Sequence, residues 1–300
     1  MHTVERRRRF PRAVLVVAAV MLGLALAVAV DVGRSGGIGA WFARHHLPAP
    51  YVAAGKRVDI GGRSLYLDCR GTGSPTVILE AGSGSDSATW AAVHDELATT
   101  TRTCAYDRAG RGRSDPRPRH TLADAAADLR ALLAAAGETG PYVVVGHSLG
   151  GAYARVFAAA ERSDVAGIVL VDSFDVDIEE GWIHPLLGSL RDEYEARLDG
   201  LRAHVSNVDT LDWPASEAQL RASSVAGLPV EVLLAPRYDQ AFSEATNAAI
   251  AEAWWTGYET LSPGLVRDTT AWGAGHVIQV DRPDLVIESV RRLVAQARDR

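Results

Sequence analysis

The sequence lacks any grouping of cysteine and histidine at zinc-ligand spacing, and it lacks an EF-hand loop, so no metal is expected. Only two cysteines, Cys69 and Cys104, occur in 300 residues. The stretch Asp107-Arg108-Ala109-Gly110-Arg111-Gly112-Arg113-Ser114 superficially suggests a phosphate loop. It has neither the Gly-Lys-Ser/Thr of a nucleotide site nor the spacing of a dinucleotide fingerprint, so no cofactor is expected. No internal repeat is visible. Basic charge is in deficit as well: 31 lysines and arginines stand against 37 acidic residues, a formal net charge of −6. Residues 1–29 hold five arginines and one glutamate, and setting them aside leaves −10. That balance argues against nucleic acid and against polyanionic substrates. Lysine itself is nearly absent, Lys56 being the only one, which reflects a bias of composition rather than a function.

Apolar character is concentrated at the N-terminus. Arg6 to Arg9 and Arg12 form a basic head, and residues 13–30 then run 18 long without a charge. An amphipathic helix would show polar periodicity, and none is present. The run is long for a signal-peptide core and short for a membrane span. Ala27-Val28-Ala29 offers a cleavage site before Asp31. Residues 1–30 therefore read as a signal peptide or an N-terminal membrane anchor. Either places the rest of the chain outside the cytoplasm, secreted or held at the cell membrane, because the basic head stays inside. Residues 31–56, with Gly33, Gly36, Gly37, Gly39, Pro48 and Pro50, read as a linker. The remainder, 57–300, suits one domain.

Within that domain, strand-like runs fall near 57–60, 64–69, 76–80, 103–106, 142–146, 167–171, 230–235 and 265–270, with helical periodicity between many of them. The run at 142–145 leads into Gly146-His147-Ser148-Leu149-Gly150, and an Ala-rich segment follows. Strand, sharp turn and helix present a serine hydroxyl at a helix N-terminus, where backbone N–H groups favour developing negative charge. A serine is a poor nucleophile near neutral pH and needs a base held by a third group. Of nine histidines, His276 in Gly273-Ala274-Gly275-His276 is the candidate base. His147 is read as pointing elsewhere, and His94, His120, His184 and His204 as packing or surface residues.

Four segments in order resemble the α/β-hydrolase superfamily, and within it exported bacterial esterase- or lipase-like serine hydrolases. They are Val77-Ile78-Leu79-Glu80-Ala81-Gly82-Ser83, the Asp107–Ser114 stretch, the serine elbow with Gly151, and Gly275-His276 followed by Asp281-Arg282-Pro283. The resemblance covers about residues 57–295. It implies an α/β fold with a mostly parallel eight-stranded sheet flanked by helices. It also implies an inserted helical cap at about 173–228, where Trp182, Leu186, Leu187, Leu190, Tyr194, Leu198, Leu201 and Trp213 fall at helical spacings.

The same resemblance implies site roles: Ser148 as nucleophile, His276 as base, and backbone N–H groups of Ser83 and Leu149 as the oxyanion hole. The acid is Asp239, beyond the strand near 230–235, with Asp172, at the end of the strand near 167–171, as the alternative. Asp107 and Arg108 would fix their loop rather than do chemistry. The second and fourth strands of this fold are antiparallel neighbours, which permits a Cys69–Cys104 disulfide in an exported protein. The implied activity is cleavage of small to medium carboxylic esters through an acyl-enzyme. An aminopeptidase or amidase, with Glu179 and Glu180 offered to a substrate amine, and a non-catalytic binding protein are the alternatives. Serine at the elbow disfavours epoxide hydrolase and dehalogenase chemistry, which use aspartate there.

Overall fold

Eight strands form a single sheet in the order β1-β2-β4-β3-β5-β6-β7-β8. The computed structural model describes residues 54–173, 175–188, 191–236 and 243–300. The expected signal or anchor (1–30), nearly all of the linker, and Asp239 lie outside the described residues. Among the described residues no helix is long and apolar enough to cross a membrane.

The strands are β1 (Lys56–Asp59), β2 (Ser64–Arg70), β3 (Thr76–Glu80), β4 (Thr103–Tyr106), β5 (Tyr142–His147), β6 (Val165–Val171), β7 (Val230–Leu234) and β8 (Val266–Thr270). β2 is antiparallel to both of its neighbours, and the pairs from β4 through β8 are parallel. Every residue of β3, β4, β5 and β7 is buried. Parallel strands covered on both faces have no polar side to alternate with, which is why 143–145 and 168–171 read as unbroken apolar runs.

The pleat divides these side chains between two cores. Ile78, Val144, Leu170 and Val232 face one, with the helices α2 (Leu122–Ala136) and α3 (Leu149–Ala160). Val77, Leu79, Val143, Val145, Val169 and Leu233 face the other, with α1 (Ala91–Leu97) and α7 (Pro283–Arg298). Each fully buried Val or Leu contributes about 1.5–3 kcal/mol of transfer free energy. α2 starts on a capping box, Thr121 with Asp124, and ends at Gly137 in the left-handed region (φ 77°).

Between β6 and β7 the chain makes a short helical stretch over 176–186, then α4 (Arg191–Val208) and α5 (Trp213–Ala222). Trp213 and Leu187 are buried, whereas Trp182 and Leu186 remain exposed. α6 (Glu244–Glu259) follows β7. The insertion occupies the stretch expected to be helical.

Cys69 and Cys104 are directly opposite in the β2–β4 register. Their sulfurs are bonded.

Candidate active site

The C-terminal ends of β5 and β6 carry the reactive geometry, where helix N-termini and loops converge. Ser148 follows β5 with φ 52° and ψ −122°, a backbone most side chains avoid. Such a residue costs on the order of 1–3 kcal/mol and persists only when its surroundings over-determine it. Here Ser148 N–H donates to Val171 O at 3.0 Å, and its carbonyl accepts from Ser173 Oγ at 3.0 Å. Two glycines make the turn possible. A Cβ on Gly146 would stand 2.4 Å from Gly150 O, and one on Gly150 would stand 2.5 Å from Glu80 O. Both distances are repulsive, so the spacing of glycines around Ser148 is a requirement of packing.

Asp172 follows β6 directly and also has positive φ, 42°. Its N–H donates to Leu233 O at 2.7 Å, and its Oδ1 accepts from Ala235 N–H at 3.0 Å. Its Oδ2 lies 2.7 Å from His276 Nδ1. An ionised carboxylate only accepts, so Nδ1 carries the proton and the lone pair of a neutral His276 sits on Nε2. That is the tautomer a general base needs. The two aspartates considered from sequence thus separate: Asp172 meets His276, while Asp239 is outside the described residues.

His147, read as pointing elsewhere than Ser148, packs its ring on that of His276, centroids 4.8 Å apart. Its Nε2–H donates to His276 O at 2.8 Å. This bond ties the residue beside Ser148 to the backbone of the candidate base. Asp281 braces the same loop from its other side, accepting from Gly275 N–H at 2.8 Å. Burial holds the His147 imidazole neutral, lowering its pKa from 6.5 to about 4. Between those values the unfolded chain takes up a proton that the folded chain refuses, so stability is full above pH 6.5 and is lost as pH falls toward 4. The shift corresponds to roughly 3 kcal/mol. In urea titrations across this window, His147→Gln, which keeps an N–H but does not titrate, is expected to reduce the total loss of stability between pH 6.5 and 4 by about that amount. A slope unchanged by the substitution would remove His147 as its source. His94 and His120 are also buried, with pKa values lowered by desolvation, and they add to the slope in the same direction.

The loop after β3 carries Ser83. Arg108, 5% exposed at its side chain, donates to the carbonyls of Ala81 and Gly82, the latter at 2.8 Å. The same guanidinium pairs with Glu80 and Asp209 and stacks over the Tyr153 ring at 4.5 Å. Asp107 accepts from Ser87 N–H and Arg113 N–H, each at 2.8 Å. Asp107 and Arg108 therefore hold loops in place. Glu80 is wholly buried, which raises its pKa, and Tyr106 donates to it. Asp209 was not singled out by the sequence, being one acid among many in a charged insertion. Of the two glutamates weighed as amine binders, Glu179 is buried and Glu180 pairs with Arg221 at 2.8 Å.

Comparison with known proteins agrees with this architecture. The model of the alpha/beta hydrolase family matches residues 77–289, so the chain belongs to that family. The protein YqjL of Bacillus subtilis is 28% identical over 240 residues, covering 77% of this chain and 88% of that protein. "Probable transporter efuK" of Hormonema carpetanum is 35% identical over 125 residues, 39% of this chain but only 18% of that protein. A thermophilic esterase from Thermogutta terrifontis has the same fold, with TM-score 0.53 and 22% identity over 82% of this chain and 99% of its own.

Proposed function

We propose that the protein is a serine hydrolase that cleaves carboxylic esters through an acyl-enzyme on Ser148, with His276 as base and Asp172 as the acid. The observation that carries this reading is the 2.7 Å contact from His276 Nδ1 to Asp172 Oδ2, beside a serine held at φ 52°. It directs the basic lone pair to Nε2 and supplies a buried negative charge for the imidazolium that forms.

In the proposed cycle Ser148 Oγ attacks the ester carbonyl as His276 Nε2 takes its proton. The carbonyl oxygen, now an oxyanion, accepts from the N–H groups of Leu149 and Ser83. Each such donor is worth about 2.7–4 kcal/mol in comparable sites. His276 returns the proton to the leaving alcohol. Water, deprotonated by the same nitrogen, then attacks the acyl-enzyme; the tetrahedral intermediate expels Ser148 Oγ, which takes that proton back from His276, and the acid is released. The β6–β7 insertion is the cap over this site. The amidase alternative is less well supported, since Glu179 is buried and Glu180 already pairs with Arg221. The N-terminal apolar run and the Cys69–Cys104 bond support an exported or membrane-anchored protein.

The test is hydrolysis of p-nitrophenyl esters of graded acyl length beside aminoacyl-nitroanilides, with Ser148→Ala as control and fluorophosphonate labelling of the serine. Ester turnover that disappears in the variant is expected, and its chain-length optimum would size the acyl pocket. Turnover of nitroanilides alone would move the assignment to an amidase. Silence on both, without labelling, would leave a binding protein.

A further inference from the structure

The loop that carries Ser83 is gripped from two directions by buried charges. Arg108 holds its carbonyls at Ala81 and Gly82. Asp209 holds the other half: Ser83 Oγ donates to Oδ2, and Gly84 N–H donates to Oδ1 at 3.4 Å. Oδ1 also accepts from Arg108 at 3.2 Å and lies 3.6 Å from Arg111 Nε. The Asp209 side chain is 2% exposed and that of Glu80 1%, so the buried guanidinium of Arg108 is matched by carboxylates on both sides. A charge buried this deeply is tolerated only when paired and hydrogen-bonded, and breaking one pair leaves the rest to rearrange.

Asp209 does not belong to the sheet. It follows the last residue of α4, in the insertion, 126 positions from Ser83. The approach is close: a Cβ on Gly84 would stand 3.2 Å from Val208 Cγ1, and Gly84 has φ 67°. The segment beyond is itself pinned. Thr210 has φ 52°, its carbonyl accepts from His120 N–H at 3.0 Å, and Asp212 N–H donates to His120 O at 2.7 Å. The end of α4 is thus fixed to the body of the domain on one side and to the oxyanion loop on the other.

We propose that Asp209 is a positioning residue for the oxyanion loop, so that the insertion above the site sets the aim of the Ser83 N–H. The proposal rests on the ester-hydrolase reading. The carboxylate touches no reacting atom; it orients Ser83 and Gly84 by accepting from both, and it is oriented in turn by Arg108. Substrate contacts are left intact when it is removed, but the donor that stabilises the tetrahedral oxygen is no longer held. The loss therefore falls on kcat rather than KM.

The experiment compares Asp209→Asn with Ser83→Ala, which cuts the same link from the other end while leaving the Arg108–Asp209 pair in place. Kinetics on a p-nitrophenyl ester, inhibition by a boronic acid that forms a tetrahedral adduct on the serine, and amide hydrogen exchange over residues 82–85 are read together. Both variants are expected to lose about 10- to 100-fold in kcat with KM within about threefold, and to weaken boronate inhibition by a similar factor. Exchange at the loop should be faster in each. Unchanged kcat and inhibition alongside a lowered melting temperature would overturn the proposal and leave Asp209 a structural tie. A wild-type protein that neither hydrolyses esters nor labels with fluorophosphonate would instead overturn the parent reading, and the exchange data would still show whether Asp209 orders the loop.

Discussion

Asp172→Asn is expected to lower kcat for ester hydrolysis by about 10⁴-fold while leaving the fold intact. The carboxylate accepts from His276 Nδ1 at 2.7 Å and, through its other oxygen, from Ala235 N–H at 3.0 Å. An asparagine can keep the second bond by turning its oxygen toward Ala235. Its amide NH₂ then faces His276, and a donor there forces the imidazole proton onto Nε2. The base is left in the wrong tautomer, with its lone pair turned away from Ser148. The imidazolium formed during attack also loses its buried counter-charge. Asp239→Asn serves as the comparison. If Asp172 is the acid, that variant should retain activity within a few-fold. A large loss at Asp239 with activity preserved at Asp172 would reverse the assignment. The measurement is kcat and KM for one ester with both variants, beside their thermal melting curves.

That assignment could not be read from the sequence, and the reason is physical. Both aspartates stand beyond an apolar strand, and the resemblance favoured Asp239 with Asp172 as the alternative, because local pattern alone does not separate them. What distinguishes Asp172 is a positive φ and a hydrogen bond across 104 residues, neither of which leaves a trace in neighbouring side chains. The strands were legible because their signal is local: Val143-Val144-Val145 and Ile168-Val169-Leu170-Val171 can only be buried on both faces. Ser148 was legible because the glycines that permit its turn lie within two residues of it. His276 stood out as the candidate base through its flanking glycines and its place after the last strand. His147 and Asp209 were missed. A histidine next to the candidate nucleophile gives no indication that its ring will bond a carbonyl 129 residues away. An aspartate at the end of a charged helix gives no indication of burial, because only the loop it meets makes it buried. Contacts of this kind are set by how the insertion and the last loop fold back on the sheet.

The second large effect is one of stability. Replacing Cys69 and Cys104 together with alanine is expected to cost about 3–4 kcal/mol. The two are 35 residues apart, and closing a loop of that length in the unfolded chain accounts for an energy of that size. For a domain of this length the melting temperature should fall by roughly 6–15 °C. The position of the bond explains why so much rests on it. Among the described residues β1 pairs only with β2, and β2 joins the parallel strands only through β4. The cross-link therefore fastens an antiparallel hairpin to the rest of the sheet, with Arg102 assisting through carbonyls at Cys69 and Gly71. The bond joins β2 to β4, whereas Ser148 and Asp172 follow β5 and β6, so kcat at a temperature well below the transition should stay within about twofold. Reductant applied to the wild type should lower its melting temperature toward that of the double variant and should leave the variant unmoved. A wild type insensitive to reductant, with the alanine variant equally stable, would mean that the bond does not form in solution. The pair of experiments separates two ends of one sheet: Asp172→Asn should remove turnover without loosening the fold, and loss of the disulfide should loosen the fold without altering turnover.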